Sequence, residues 1–284
     1  MIWVIVNSKE EDGTFPTYKF YKNVFDNNEI DIYCARENDD FSFLKKDDIV
    51  FMRTREDNIV NRVREIQPIV GFASTLESQE TNYLTHDKDA VKSVLRENGI
   101  AFPKTIKPSD VVDGRKYFIK PKFGENSFGI DENSICYSKS HVIEKYNSLI
   151  ENEVEPIIEE YIEGYDLTTA VIYSRKDNTL EIYSAVTQAN NDIGIQTEET
   201  KKNYTFKTSI YKSELLDEIS KKVFEIVYAK HYLRIDFRMS NGIPYVIDIN
   251  MIPGLAPIGY MSLCMKENGF NYHEFIRKVV YSSF

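Results

Sequence analysis

The sequence predicts a mixed α/β or α+β fold. Short β-rich runs alternate with amphipathic helical windows, and no internal repeat or low-complexity tract interrupts them. A chain of 284 residues with 42% hydrophobic content is long enough for two or three small domains that share one site. Its 45 acidic and 35 basic residues leave a formal charge of −10, which disfavours a phosphate backbone as partner but still lets a few local cations hold a small anion.

Ile2 to Val6, Ile30 to Cys34, Ile49 to Met52 and Ile69 to Phe72 read as strands, with helices near Pro16 to Phe25 and Asp57 to Gln67. They make a small open α/β unit, set at residues 1–80. Thr85 is the candidate cap of the next helix, whose Ala90, Val91, Val94 and Leu95 form one apolar stripe and whose end is marked by Gly99. Tyr117 to Lys120 and Ile135 to Tyr137 are expected strands around a glycine-containing loop, followed by a helix from His141 to Ile150; this second unit spans 81–156. The third, 157–284, opens with strands near Ile157 to Ile162, Leu167 to Tyr173 and Leu180 to Thr187. A polar stretch from Asn190 to Lys207, a helix to about Ala229, a strand pair at Tyr232 to Met239 and Tyr245 to Asn250, and two helical segments complete it.

Cys34, Cys136 and Cys264 are far apart and include no CxxC pair, which argues against a disulfide framework or a thiolate zinc site. The first apolar run has no basic leader, and no window approaches the roughly 18 apolar residues of a membrane span. A cytoplasmic protein with neither a membrane nor a nucleic-acid partner is expected. The four histidines show no ligand spacing, and the 19 tyrosines and 17 phenylalanines read as packing residues.

The most informative segment is YLRIDFRMSNGIPYVIDINMIPG. On an extended strand Arg234, Asp236 and Arg238 share one face, and on the next strand Asp248 and Asn250 do. If Asp236 faces Asp248, then Arg234 faces Asn250, and one surface carries two carboxylates, an amide oxygen and a guanidinium. A two-residue Asn241-Gly242 turn would turn Asp248 to the apolar side, so a five-residue loop from Ser240 to Pro244 is predicted; it also keeps Pro244 out of the ladder. Facing carboxylates suit magnesium, which takes one or two of them with water and phosphate oxygens. A surface ladder of alternating Arg and Asp is the competing explanation.

In YFIKPKFGENSFGI, Lys120 ends a strand, and Gly124, Asn126, Ser127 and Gly129 let the next loop turn its N–H groups toward phosphate; taken alone, this stretch reads more readily as an ordinary hairpin loop. In PIIEEYIEGYDLTTAVI, a strand runs into Glu159, Glu160, Tyr161, Ile162 and Asp166. That segment offers hinge backbone for a purine and a carboxylate for a ribose.

Taken in order, these segments resemble the ATP-grasp superfamily, most closely its D-alanine–D-alanine ligase-like branch, from about His86 to His273. The resemblance implies an ATP-grasp fold with a small N-terminal α/β domain, a central lid-bearing domain and a C-terminal domain built on an antiparallel sheet. It also implies ATP with two magnesium ions, or manganese in their place. Lys88 and Lys120 resemble the two phosphate lysines, Ser127 and Gly129 the closing loop, Glu159 to Ile162 the adenine hinge, and Asp166 the ribose acid. Asp236, Asp248 and Asn250 resemble the metal ligands, and Arg234 with the backbone of Gly254 the group that stabilises a tetrahedral oxyanion. Lys201 or Lys202 is a further candidate phosphate contact. The implied reaction is phosphorylation of a carboxylate followed by attack of an amine, forming a peptide or amide bond between small substrates such as amino acids or a peptide. Dimerisation is an expectation taken from relatives.

Two positions depart from the branch. NSKEEDGTFPTYKF lacks its His/Gly/Ser-rich first loop, and Gly259 stands where a serine receives the second substrate's carboxylate. Substrates other than two D-alanines are therefore expected. Two other functions compete: an ATP-grasp kinase of a phosphorylated alcohol, which needs a basic acceptor pocket, and a nucleotide-binding scaffold without turnover, against which Arg234 and both acids argue.

Overall fold

A computed structural model describes residues 1–7, 20–21, 23–25, 29–123, 129–189, 206–282 and 284. The N-terminal sheet is parallel, in the order β2-β1-β3-β4, from β1 (Ile2–Asn7), β2 (Ile30–Ala35), β3 (Ile49–Met52) and β4 (Ala73–Ser74). Strand β1 is buried on both sides, as parallel strands are. Ile5 packs with Ile59, Val60 and Val63 of helix α1 (Asp57–Val70), whereas Val4 and Val6 pack with Met261, Phe275 and Ile276 near the chain's end. The alternation of β1 thus docks the N-terminal sheet on the C-terminal helices, which fixes where the loop after β3 lies.

Two local expectations are corrected here. Ile69 and Val70 belong to the last turn of α1; Gly71, at φ 84°, closes that helix, and β4 begins at Ala73. A four-residue apolar run does not distinguish the two structures, and the glycine is the deciding signal. Thr85 caps nothing, because it lies inside α2 (Gln79–His86), where its hydroxyl donates to the carbonyl of Thr81. The cap of α3 (Lys88–Glu97) is Asp87, whose carboxylate accepts from the N–H groups of Asp89 and Ala90. This puts Lys88 at the first helical position, and Gly99 is left-handed as expected. The helix expected at Pro16 to Phe25 lies mostly outside the described residues, though Phe20 and Tyr21 are helical.

A three-stranded antiparallel sheet, β6-β5-β7, follows from β5 (Tyr117–Pro121), β6 (Ile135–Cys136) and β7 (Pro156–Glu160). Helix α4 (Lys139–Glu151) covers it with Val142 and Leu149. The largest sheet is antiparallel, in the order β10-β9-β8-β11-β12. Its strands are β8 (Tyr165–Ser174), β9 (Thr179–Ala189), β10 (Phe206–Ile210), β11 (Tyr232–Ser240) and β12 (Ile243–Asn250). Strand β10 is a correction: it straddles the end of the polar stretch expected to Lys207 and the start of the segment expected to be helical, and that helix begins only at Glu214. One face of the sheet is apolar, with Leu233, Ile235 and Phe237 packed with Leu216, Val223 and Phe224 of α5 (Glu214–Ile226) and with Val91 and Leu95 of α3. The other face carries Arg234, Asp236 and Arg238 and is flanked by α6 (Tyr260–Glu267) and α7 (Tyr272–Ser282).

The β11-β12 hairpin has the predicted register at the site but reaches it differently. Asn241 (φ 49°) and Gly242 (φ 80°) form a two-residue turn, with Ser240 opposite Ile243 and Met239 opposite Pro244. The ladder then slips: Phe237 faces Val246 and Asp236 faces Asp248, so Ile247 is an extra residue, a β-bulge. The predicted five-residue loop is therefore absent. Pro244 is tolerated because β12 is an edge strand, whose outer side needs no ladder donor.

Between β7 and β8, Gly164 has φ 153°, and a Cβ there would sit 1.9 Å from the carbonyl oxygen of Met239. Gly164→Ala is expected to cost about 2–4 kcal/mol from combined backbone strain and overlap, readable as a lowered Tm.

Candidate active site

Asp236 and Asp248 stand side by side on the polar face of the hairpin, with Arg234 and Asn250 beside them. The Arg234 guanidinium donates to Oδ2 of Asp236 from Nε at 3.1 Å and from Nη2 at 2.8 Å, and its Nη2 lies 3.8 Å from Oδ2 of Asp248. Thr168 on β8 donates its hydroxyl to the other oxygen of Asp236 at 3.0 Å. Burial raises the Asp236 pKa; the Arg234 charge opposes that shift and the Asp248 charge adds to it. The ring of Tyr260, at the start of α6, lies 5.7 Å from the Arg234 guanidinium.

Beside this face, Lys88, Lys92, Lys120, Glu159, Ile247 and Asp248 line one cleft. Lys88 Nζ donates to the carbonyl of Lys122 at 3.2 Å, and burial lowers its pKa. Lys120 Nζ donates at 3.2 Å to the carbonyl of Ile247, which the bulge turns toward it, and lies 3.0 Å from Glu159 Oε2. Lys92 Nζ lies 2.6 Å from the other oxygen of Glu159 and donates to Thr105 Oγ1 at 2.9 Å. Burial alone would raise the Glu159 pKa, but the ammonium groups of Lys120 and Lys92 together bring it below the ordinary carboxylate value.

Of the hinge residues Glu159 to Ile162, Glu159 alone is among the residues that line this cleft. Glu159 points into it. Glu160 instead accepts the N–H of Lys104 at 3.0 Å. Arg238 ties the rest together, donating to the carbonyl of Ile162 at 3.1 Å, to the hydroxyl of Tyr161 at 3.0 Å and to Asp166 Oδ1 at 2.7 Å. Burial raises the Asp166 carboxyl to about 6 despite this partner. Asp166 is thus on the sheet face that carries Asp236, with Arg238 already on it. Gly129 (φ 70°) packs against Pro121, whereas Ser127, Lys201 and Lys202 lie outside the described residues.

After β12 the chain turns so that Gly254 and Gly259 are in close approach. A Cβ on Gly259 would fall 2.7 Å from the carbonyl oxygen of Gly254, so a serine does not fit there without moving the loop. The loop is also held from the N-terminal sheet. Arg53, just after β3, donates to the hydroxyl of Tyr232 at 2.9 Å and to the carbonyl of Pro253 at 2.5 Å. Arg55 donates to Oδ1 of Asn250 at 2.8 Å. Burial lowers its pKa to about 10, with the Arg53 and Arg234 charges contributing and the Asp248 charge opposing.

Sequence reasoning placed Arg238 on the polar face without giving it a role, and missed Lys92, Tyr260 and the Arg53–Arg55 pair. Two signals were available: Lys92 is four residues after Lys88, hence on the same helix face, and the pair follows a parallel strand's C-terminal end, where open sheets bind ligands. Asp236, Asp248 and Asn250 supply two carboxylates and an amide oxygen, a donor set suited to a hard divalent cation that is also bound to phosphate. Among the described residues, no group of three or more His, Cys, Asp and Glu side chains gathers as for a metal, so this mixed set is the candidate.

The sequence matches the family described as D-ala D-ala ligase C-terminus over residues 96–281. D-alanine–D-alanine ligase A of Bacillus cereus is 23% identical over 206 residues, covering 69% of this chain and 67% of that protein. D-alanine–D-alanine ligase B of Clostridium perfringens is 24% identical over 277 residues, covering 90% and 85%. In structure, the D-alanine–D-alanine ligase of Bacillus anthracis complexed with ATP aligns with a TM-score of 0.73 at 18% identity, covering 99% of this chain and 96% of that one. The VanG D-Ala:D-Ser ligase of Enterococcus faecalis aligns with a TM-score of 0.71 at 18% identity, covering 100% and 99%. These likenesses carry the ATP-grasp architecture, and the family match extends over most of the chain. The chain belongs to the D-ala D-ala ligase C-terminus family.

Proposed function

We propose that this protein is an ATP-dependent carboxylate–amine ligase that forms a peptide or amide bond through an acyl phosphate, with small substrates other than two D-alanines. The observation that carries this reading is the placement of a lysine-lined cleft directly beside a face bearing two acids, an amide oxygen and Arg234. Lys88 and Lys120 hold phosphate oxygens. Asp236, Asp248 and Asn250 hold divalent cations, magnesium or manganese, which when bound neutralise phosphate charge during transfer. Arg234, kept in place by Asp236 and the Tyr260 ring, donates toward the oxygen on which charge develops when the amine attacks, and the backbone around Gly254 completes that donor set. The hinge from Glu159 to Ile162 is assigned to adenine, and Asp166 to the ribose.

Support for altered substrates comes from Gly259, where the close approach of Gly254 leaves no room for a serine, and from the arginines that follow β3. Among the described residues no helix is long and apolar enough to cross a membrane. The separate, unbridged cysteines suit a cytoplasmic enzyme.

The test is release of ADP and of phosphate from Mg-ATP, screened over amino acids and dipeptides singly and in pairs. Release of both only when a carboxylate and an amine are present together is the expected result, and Asp236→Asn should abolish it. Release of ADP without free phosphate, with an alcohol acceptor, would assign a kinase instead.

A further inference from the structure

Arg55 and a divalent cation at Asp236 and Asp248 would draw on the same atom. Oδ1 of Asn250 accepts the N–H of Ile252 at 3.0 Å and the Arg55 guanidinium at 2.8 Å, so both of its lone-pair directions are in use. Asn250 is only 4% exposed, which leaves that oxygen little freedom to turn elsewhere. Arg55 comes from the N-terminal sheet, and its reach is set by Arg53, two residues earlier, which is anchored on Tyr232 and Pro253. That anchor does not involve Asn250, so the Arg55 side chain can leave without undocking the sheet. A metal ion placed on this oxygen would also face the Arg55 charge at close range, and departure of the guanidinium removes that repulsion.

We propose that Arg55 is a positioning residue of the N-terminal domain that competes with the divalent cation for Oδ1 of Asn250, so that loading the cation requires the guanidinium to leave. The inference rests on the reading of Asp236, Asp248 and Asn250 as cation ligands. Arg55 holds the amide oxygen in its ligating orientation and discourages metal binding; its release ties cation loading to a movement of the first domain's loop.

The experiment is Mn2+ binding to the full chain without nucleotide, followed by the electron paramagnetic resonance of free Mn2+, in a double-mutant cycle. Arg55→Met should tighten Mn2+ binding by about tenfold, equivalent to about 1.4 kcal/mol. In the Asn250→Ala background the same substitution should change it by less than about twofold, because the contested oxygen is gone. Equal tightening in both backgrounds would mean that Arg55 acts only through its charge and would overturn the proposal, as would no tightening in either. If Arg55→Met does not fold, Arg55→Lys serves in its place, with the same pattern at smaller amplitude. Mn2+ binding that is indifferent to Asp236→Asn would overturn the cation site itself; binding sensitive to Asp236→Asn but indifferent to Arg55 would overturn this inference alone.

Discussion

Replacing Arg234 by Met is expected to lower kcat by about 10²–10³-fold while the KM for ATP stays within about threefold at saturating magnesium. The guanidinium lies outside the lysine-lined cleft, on the face of β11, and its two short contacts go to Asp236. Its work is therefore confined to charge that develops during transfer, which is felt in turnover rather than in ground-state binding. Steady-state kinetics over both substrates separate the alternatives: a parallel loss of ATP affinity would place Arg234 in the nucleotide site. Because the substitution also leaves the buried Asp236 without its counter-ion, the magnesium dependence should be measured in the same variant.

Glu159→Gln should produce the largest loss of stability at the site. Glu159 is 2% exposed and faces Lys92 and Lys120 at 2.6 and 3.0 Å, and both lysines are themselves buried. Removing the one carboxylate they share leaves two ammonium groups in a poorly solvated place, a change that costs about 3–5 kcal/mol in comparable buried pairs. The same contacts predict a pH dependence. The folded-state carboxyl titrates below its ordinary value of 4.5, so its contribution is fully present above that value and is lost as pH falls through the lower folded-state value. Urea denaturation across acidic pH should show the wild type losing this increment, with the Gln variant less stable at neutral pH and flatter on acidification. An unchanged Tm and an unchanged acid limb would mean that water, not Glu159, compensates the lysines.

The large elements were legible because periodicity and punctuation agreed. Alternation in Tyr232 to Met239 and in Tyr245 to Asn250 placed the acids on one face, and the structure keeps them there. The route was misread: a hydrophobic face fixes register strongly, but either an odd loop or a bulge satisfies it, and nothing local to Ile247 distinguishes the two. Ile69 failed for a similar reason, since a short apolar run takes its identity from Gly71 rather than from its own side chains. Arg55, Tyr260 and the partners of Arg238 were illegible because they arise from contacts over long sequence separations; Arg55 meets Asn250 across 195 residues. Pattern within a window reports which face a residue is on, not what is brought against it.

The bulge at Ile247 makes the spacing between the hairpin tip and the acids a matter of one residue. Deleting that isoleucine would remove the irregularity and leave Asp236 opposite Asp248 and Arg234 opposite Asn250, with every proposed ligand on its present face. It would also withdraw the carbonyl that Lys120 uses. Along this strand, then, the hairpin carries one residue of slack: losing it would unseat Lys120 while the two carboxylates, the amide and Arg234 keep their register.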